Sequence, residues 1–175
     1  MGMVLTGVVE ADFVDVIELA NIAYRKTGDG ASWNSENGLI EGSRLTDELL
    51  REDLARPGAV LLVYRDEPEG LLLGTVFLEP KGEGVWYLGL LTVRPGLQDR
   101  GLGKGILAAA EEFARERGGV KIRMTVLYVR ETLIAWYLRR GYALTGETVP
   151  FPYGDDRFGR PLREGLYFVV MEKAI

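Results

Sequence analysis

The chain has 175 residues, 47% of them hydrophobic and 27% charged, and no apolar run approaches the ~18–20 residues that a membrane-spanning helix needs, which is the profile of one globular domain over residues 1–175. It contains no cysteine and no histidine, which excludes disulfides, a thiol nucleophile, Cys/His metal sites and every Ser-His or Cys-His mechanism; proton transfer is left to Asp, Glu, Tyr, Lys or water. The net charge of −5 is uneven, +5 over residues 94–140 against −9 over residues 1–93, and a local basic stretch in an acidic chain suits an anionic small ligand better than nucleic acid.

The opening MGMVLTGVVEADF lacks the basic and long apolar regions of a signal peptide, so a cytoplasmic location is expected. Met3–Val9 predicts a short strand. Ala11–Arg25 carries Phe13, Val16, Ile17, Ala20 and Tyr24 at helical spacing, with Asp12 as a cap. Residues 27–44, rich in Gly, Ser and Asn, predict a long loop, and a loop of that length in a compact domain points to function. Leu45–Arg56 predicts a helix capped by Thr46 and ended by Pro57-Gly58. Ala59–Arg65 and Leu71–Leu78 predict a hairpin, and Gly84–Val93 a third strand broken off by Pro95 and Gly96. Gly101–Arg117 is an amphipathic helix stopped at Gly118-Gly119. A strand at Val120–Leu127 and a short helix at Glu131–Arg140, closed by Gly141, follow. Tyr142–Thr145 begins a strand, residues 146–165 form a second long loop, and Leu166–Lys173 is the last strand. The order β-α-α-β-β-β-α-β-α-β-β is that of an α/β chain with a mixed sheet, its glycine-rich loop lying between a strand and its crossover helix.

That loop reads LQDRGLGKG over residues 97–105. It is too compact for a P-loop, and Ile106 stands where a magnesium ligand would be required. The dinucleotide fingerprint fails as well, because position 106 is not glycine and Gly119, Val120 and Lys121 occupy the region of the acidic ribose ligand. The remaining pattern, Gln98-x-x-Gly101-x-Gly103, resembles the acyl-coenzyme A signature of the GNAT N-acetyltransferase superfamily. The flanks resemble it too: LTVRP at 91–95 is similar to the family's splayed strand and its proline exit, and AWYLRRGY at 135–142 to its helix ending in an aromatic, basic residues and Gly-aromatic.

The resemblance implies a GNAT-like acyl-CoA N-acyltransferase fold with a splayed central strand pair, acetyl-CoA as acetyl donor, no metal, and an amine acceptor. The first N–H groups of a helix lack intrahelical partners, and glycine lets a phosphate come close. The backbone amides of Gln98, Asp99, Arg100, Gly101, Leu102, Gly103, Lys104 and Gly105 are therefore expected on the pyrophosphate, with side-chain charge from Arg100 and Lys104. The alternative for these glycines is tight helix–strand packing alone. Leu91, Thr92 and Val93 are expected to face the pantetheine arm as an added strand would. Tyr137, four residues before Gly141, falls where the family has its general acid, and the N–H of Leu91 is the candidate oxyanion donor. Relatives often carry a strand Glu as base, used directly or through a water chain; residues 85–93 hold no acid, which leaves Glu79 and Glu83 as the nearest carboxylates, or an ordered water path, with a solvated surface role as the alternative for either Glu. Arg130 stands where relatives often have an Asn on the pantetheine, a departure from that contact, and its guanidinium is expected as a cofactor ligand that could reach a phosphate.

Acceptor choice is expected in the two long loops. Trp33 and Glu36 in the first, and Tyr153 and Asp156 in the second, are candidate substrate residues, since aromatics beside carboxylates hold a cationic amine. Pinned loops or a homodimer contact would use the same residues. The reading is an acetyl-CoA-dependent N-acetyltransferase acting on a small amine, with no nucleic-acid or membrane partner. A protein lysine or N-terminal acetyltransferase and a non-catalytic acyl-CoA binding domain are the alternatives.

Overall fold

The computed structural model describes residues 3–25, 40–97, 100–155 and 159–175. In chain order it has β1 (Thr6–Gly7), a 3-10 turn (Glu10–Asp12), α1 (Phe13–Arg25), β2 (Ile40–Glu41), α2 (Asp47–Leu54), β3 (Val60–Tyr64), β4 (Gly74–Gly82), β5 (Val85–Val93) and α3 (Leu102–Glu116). Then come β6 (Lys121–Leu127), α4 (Glu131–Leu138), β7 (Ala143–Pro150), β8 (Arg160–Pro161) and β9 (Tyr167–Ala174). Seven strands form one sheet in the order β1-β3-β4-β5-β6-β9-β7, and β2 pairs with β8 apart from it. The β5–β6 pair is the parallel one, because α3 carries the chain across between them. No described helix is long and apolar enough to cross a membrane.

The helix ends follow local chemistry. The Thr46 side chain accepts the Leu49 N–H at 3.2 Å, as the capping residue of α2. At the end of α3, the N–H groups of Gly118 and Gly119 return to the carbonyls of Arg115 and Ala114, a glycine-permitted stop. The amphipathic face of α3 buries Ile106, Leu107, Ala110 and Ala114 against Leu78, Leu88 and Ile122 of the sheet. A second core takes Val16, Leu19, Leu49 and Leu50 of α1 and α2 with Leu61 and Phe77.

Three differences from the sequence reading have tertiary causes. Only Thr6–Gly7 of the expected first strand is laddered, on β3, because Met3 and Leu5 pack onto the core of α3 instead. β7 continues through Pro150, into the expected loop, held by its ladder to β9 across an irregularity between Leu144 and Thr148. Every residue of β7 is exposed, so its side chains carry no burial pattern that a sequence reading could use. Finally, Ile40–Glu41 pairs with Arg160–Pro161, so the two expected acceptor loops are tied to each other. Ile40 packs there with Leu127, Phe151 and Leu166 in a third, small core.

Candidate active site

β5 and β6 are paired at Val85↔Lys121, Trp86↔Ile122 and Tyr87↔Arg123 only. Past Tyr87 each follows its other neighbour, β5 with β4 and β6 with β9, and a wedge opens between them. At the wedge β5 carries a bulge: Thr75↔Thr92 and Phe77↔Gly89 leave Leu90 and Leu91 against Val76 alone. Leu90 sits at φ 48°, a conformation that costs a side-chain-bearing residue about 1–3 kcal/mol. Hydrogen bonds fix it there. The Leu90 carbonyl accepts from Thr75 Oγ1 (2.9 Å) and Thr92 Oγ1 (3.1 Å), and the Leu91 carbonyl from the Tyr24 hydroxyl (3.1 Å).

The wedge opens into a cavity of ≈ 550 Å³ walled by residues such as Tyr24, Arg44, Asp53, Leu91, Arg130 and Tyr137. That size is usual for a small-molecule site. Tyr137 of α4 is 6% exposed, and its hydroxyl makes no hydrogen bond among the described residues. Its ring stands edge-on to Trp136 and Tyr142, at 5.1 and 5.6 Å between centroids. Burial above all pushes its phenol pKa up, with Tyr24 and Tyr87 adding to the shift and the Arg130 charge opposing it. The group therefore stays neutral and keeps its proton.

The glycine loop delivers a helix start. Gly101 precedes α3 at φ 74°, in a left-handed conformation glycine reaches at little cost, and a Cβ there would meet nothing within 4 Å. No acidic residue lies in the first turn of α3. The Arg100 N–H bonds to the Leu97 carbonyl and the Gly105 N–H to the Gly101 carbonyl, so those two amides are engaged. Leu102, Gly103 and Lys104 supply the first-turn amides that have no intrahelical acceptor. At Gly105 a Cβ would lie 2.8 Å from the Met3 methyl, the mobile end of a flexible side chain that can move aside. Gly101→Ala and Gly118→Ala (φ 81°, also open) should each cost about 1–2 kcal/mol of stability. Only Gly101→Ala should weaken coenzyme A binding in a titration; equal affinities would remove Gly101 from the phosphate site.

Other residues singled out in the sequence stand elsewhere. Thr92 and Val93 are fully buried in β5. Glu79 is not in the cavity wall; its carboxylate is held by Arg56 (3.3 Å) and Lys81 (3.1 Å). Tyr153 is outside the wall as well, its hydroxyl donating to the Arg163 carbonyl (2.8 Å) and accepting the Leu166 N–H (2.9 Å), which pins the second loop. Trp33, Glu36, Gln98, Asp99 and Asp156 lie outside the described residues. The residues the sequence did not single out are Tyr24, which holds the bulge, and Asp53, the one carboxylate that the described residues give to the wall. In the sequence Asp53 is one of four acids in the predicted helix 45–56, with nothing to distinguish it.

A parallel strand pair splayed beside a bare helix start, with a neutral phenol in the wedge, is the framework of an acyl-CoA-dependent acyltransferase. The chain belongs to the acetyltransferase (GNAT) family, whose family model matches residues 24–142, and is accordingly an acetyl-CoA-dependent acetyltransferase. No curated protein matches the sequence. Among solved structures it is similar to the ribosomal-protein-alanine N-acetyltransferase of Brucella melitensis, with TM-score 0.65 and 21% identity over 99% of this chain and 100% of that one. It is also similar to an IAA acetyltransferase of Bacillus cereus (TM-score 0.66, 15% identity, 98% and 99% covered). An aminoglycoside 6'-acetyltransferase type Ii is a further match (TM-score 0.64, 19% identity, 98% and 97% covered). At these identities the likeness shows the fold, and each acceptor named belongs to its own protein.

Proposed function

We propose that the chain transfers an acetyl group from acetyl-CoA directly to the primary amine of a small molecule. One observation carries this reading: the wedge holding the Tyr137 hydroxyl, which has no hydrogen-bond partner among the described residues, is continuous with a cavity that α2, Ile40 and Phe151 also line. A site walled on that side suits a small acceptor better than a protein chain. Bound acetyl-CoA supplies an acetyl thioester that an amine can attack. The amides of Leu102, Gly103 and Lys104, with the Arg100 and Lys104 side chains, hold the pyrophosphate. The Leu91 N–H, beside the strained bulge residue, holds the carbonyl oxygen as it gains charge. The Tyr137 hydroxyl donates a hydrogen bond to the sulfur as the C–S bond breaks. Asp53 accepts, through water, the proton that the amine loses as the C–N bond forms.

Asp53 suits that role. Burial raises its pKa above the ordinary carboxylate value, against the opposing charges of Arg56 and Arg44, and a carboxylate moved up is a stronger base. The sign follows: the rate should fall as pH drops through that raised pKa, because protonated Asp53 accepts nothing. Asp53→Asn should lower kcat by ~100-fold and erase this acid limb, while Glu79→Gln leaves it in place. A limb that survives Asp53→Asn assigns it to another group.

Two measurements test the whole reading. Acetyl-CoA at a hundredfold excess over its Kd should stabilise the fold by about 2.7 kcal/mol, a rise of ~5–10 °C in Tm. Primary amines of small size should drive thiol release from acetyl-CoA, and release driven only by peptides would overturn the choice of acceptor.

A further inference from the structure

We propose that the acceptor amine carries a free carboxylate and that Arg44 is its seat, an inference that rests on the transfer reading above. The charged wall contains Arg44, Arg56, Arg130 and the single carboxylate Asp53 among the described residues. Arg56 is already neutralised, 3.1 Å from Asp53 and 3.3 Å from Glu79. Arg130 acts on Tyr137 at the wedge. Arg44 is different. Its guanidinium lies 5.1 Å from the centroid of the Tyr24 ring and makes no ion pair or side-chain hydrogen bond among the described residues.

Its place is built. Asn21 Oδ1 accepts the backbone N–H groups of Arg44 (2.6 Å) and Leu45 (3.1 Å), and Asn21 Nδ2 donates to the Leu45 carbonyl (3.0 Å). Leu45 is 2% exposed, which anchors the chain at that point. The Tyr24 ring under Arg44 leads back to the reaction centre, since its hydroxyl holds the Leu91 carbonyl. Arg44 is therefore one aromatic ring away from the bulge. An acceptor with its amine at the bulge and its carboxylate toward Arg44 would lie along the Tyr24 ring that joins the two. A guanidinium over a ring, with no side-chain hydrogen bond or ion pair among the described residues, is suited to grip a carboxylate through two parallel hydrogen bonds.

The same wall disfavours polycations. Among the described residues the wall's one carboxylate, Asp53, is already paired with Arg56, so a second ammonium would meet the charges of Arg44 and Arg130 with no wall carboxylate left to hold it. A protein N-terminus also fits poorly, because its first residue continues as a peptide where the carboxylate belongs.

The experiment compares free α-amino acids with their amides, their decarboxylated amines and spermidine, in wild type, Arg44→Gln and Arg44→Lys. In wild type, kcat/KM for a free acid should exceed that of its amide by at least ~10-fold, carried by KM. Arg44→Gln should erase that ratio by raising the KM of the acid and leaving the amide unchanged, and Arg44→Lys should restore part of it. The acetyl-CoA thermal shift should be the same in all three proteins. Equal use of acids and amides, preference for spermidine, or a ratio insensitive to Arg44→Gln overturns the proposal. Failure of acetyl-CoA to bind wild type would instead sink the transfer reading. Calorimetric binding of amino acid against amide then decides the carboxylate question, and absence of any carboxylate-dependent binding or turnover counts against it.

Discussion

Tyr137→Phe should reduce kcat by ~100- to 1,000-fold, equivalent to about 3–4 kcal/mol of transition-state stabilisation, with little change in the KM of the amine. The ring is wedged between Trp136 and Tyr142, so phenylalanine retains its place and the variant lacks only the oxygen. That oxygen has no protein partner among the described residues, so its removal orphans nothing there and should leave the acetyl-CoA thermal shift intact. The raised phenol pKa also fixes the kind of help it gives. A thiol ionises near ~8.5, well below this phenol, so the role proposed for the hydroxyl is a hydrogen bond to the departing thiolate rather than full protonation of it. The loss should therefore be constant with pH across the neutral range. A Phe variant with more than half the wild-type kcat, or one that has lost acetyl-CoA binding, would show that Tyr137 acts only as packing.

Lys173→Met should cost about 2–4 kcal/mol of stability and lower Tm by ~5–15 °C in a chain of this length. Glu111 of α3 is 7% exposed, and its carboxylate accepts from Lys173 Nζ of β9 (3.0 and 3.1 Å) and from the Tyr142 hydroxyl (2.7 Å). Without Lys173 a buried negative charge keeps one neutral donor. The figure lies below that for a fully buried pair because the Lys173 side chain is 27% exposed. Adding Glu111→Gln should rescue the variant, because it removes the buried charge that Lys173 paired. By contrast Arg123→Met, which breaks the strand-surface pairs with Glu172 and Glu147, should lose under about 1 kcal/mol. Equal losses at the two sites would refute the distinction. The Glu111 cluster also bears on the site, because it fixes Tyr142, whose ring supports Tyr137.

Much of the framework was legible in the sequence because its signals are short-range. A Thr46 hydroxyl caps a helix through a bond three residues away, Gly118-Gly119 close α3 through bonds within the last turn, and Gly101 opens it by its own φ. The hydrophobic period of Gly101–Arg117 and the run VWYLGLLTV placed a helix and a strand around the glycine loop, and the motif spacing placed Tyr137. These features depend on neighbours in the chain, and a sequence displays neighbours.

The chemistry at the far side of the site depended on tertiary structure. Whether β5 stays with β6 after Tyr87 is decided by the registers that β4 and β9 impose, and the bulge at Leu90 is held by Thr75 from another strand and Tyr24 from a helix 67 residues from its Leu91 partner. Glu79 and Asp53 are both carboxylates within the acidic N-terminal half, and both pair with Arg56; only packing shows the first also held by Lys81 outside the cavity wall and the second in that wall. Arg44 reads in the sequence as the end of a polar loop, and the ring of Tyr24 beneath it makes it a candidate anion seat. The sequence by itself determined the elements, which rest on bonds a few residues long, and its motifs carried the family resemblance that implied the donor and the reaction class. The tertiary structure decided which charges face the acceptor, because burial and pairing are set by residues far apart in the chain.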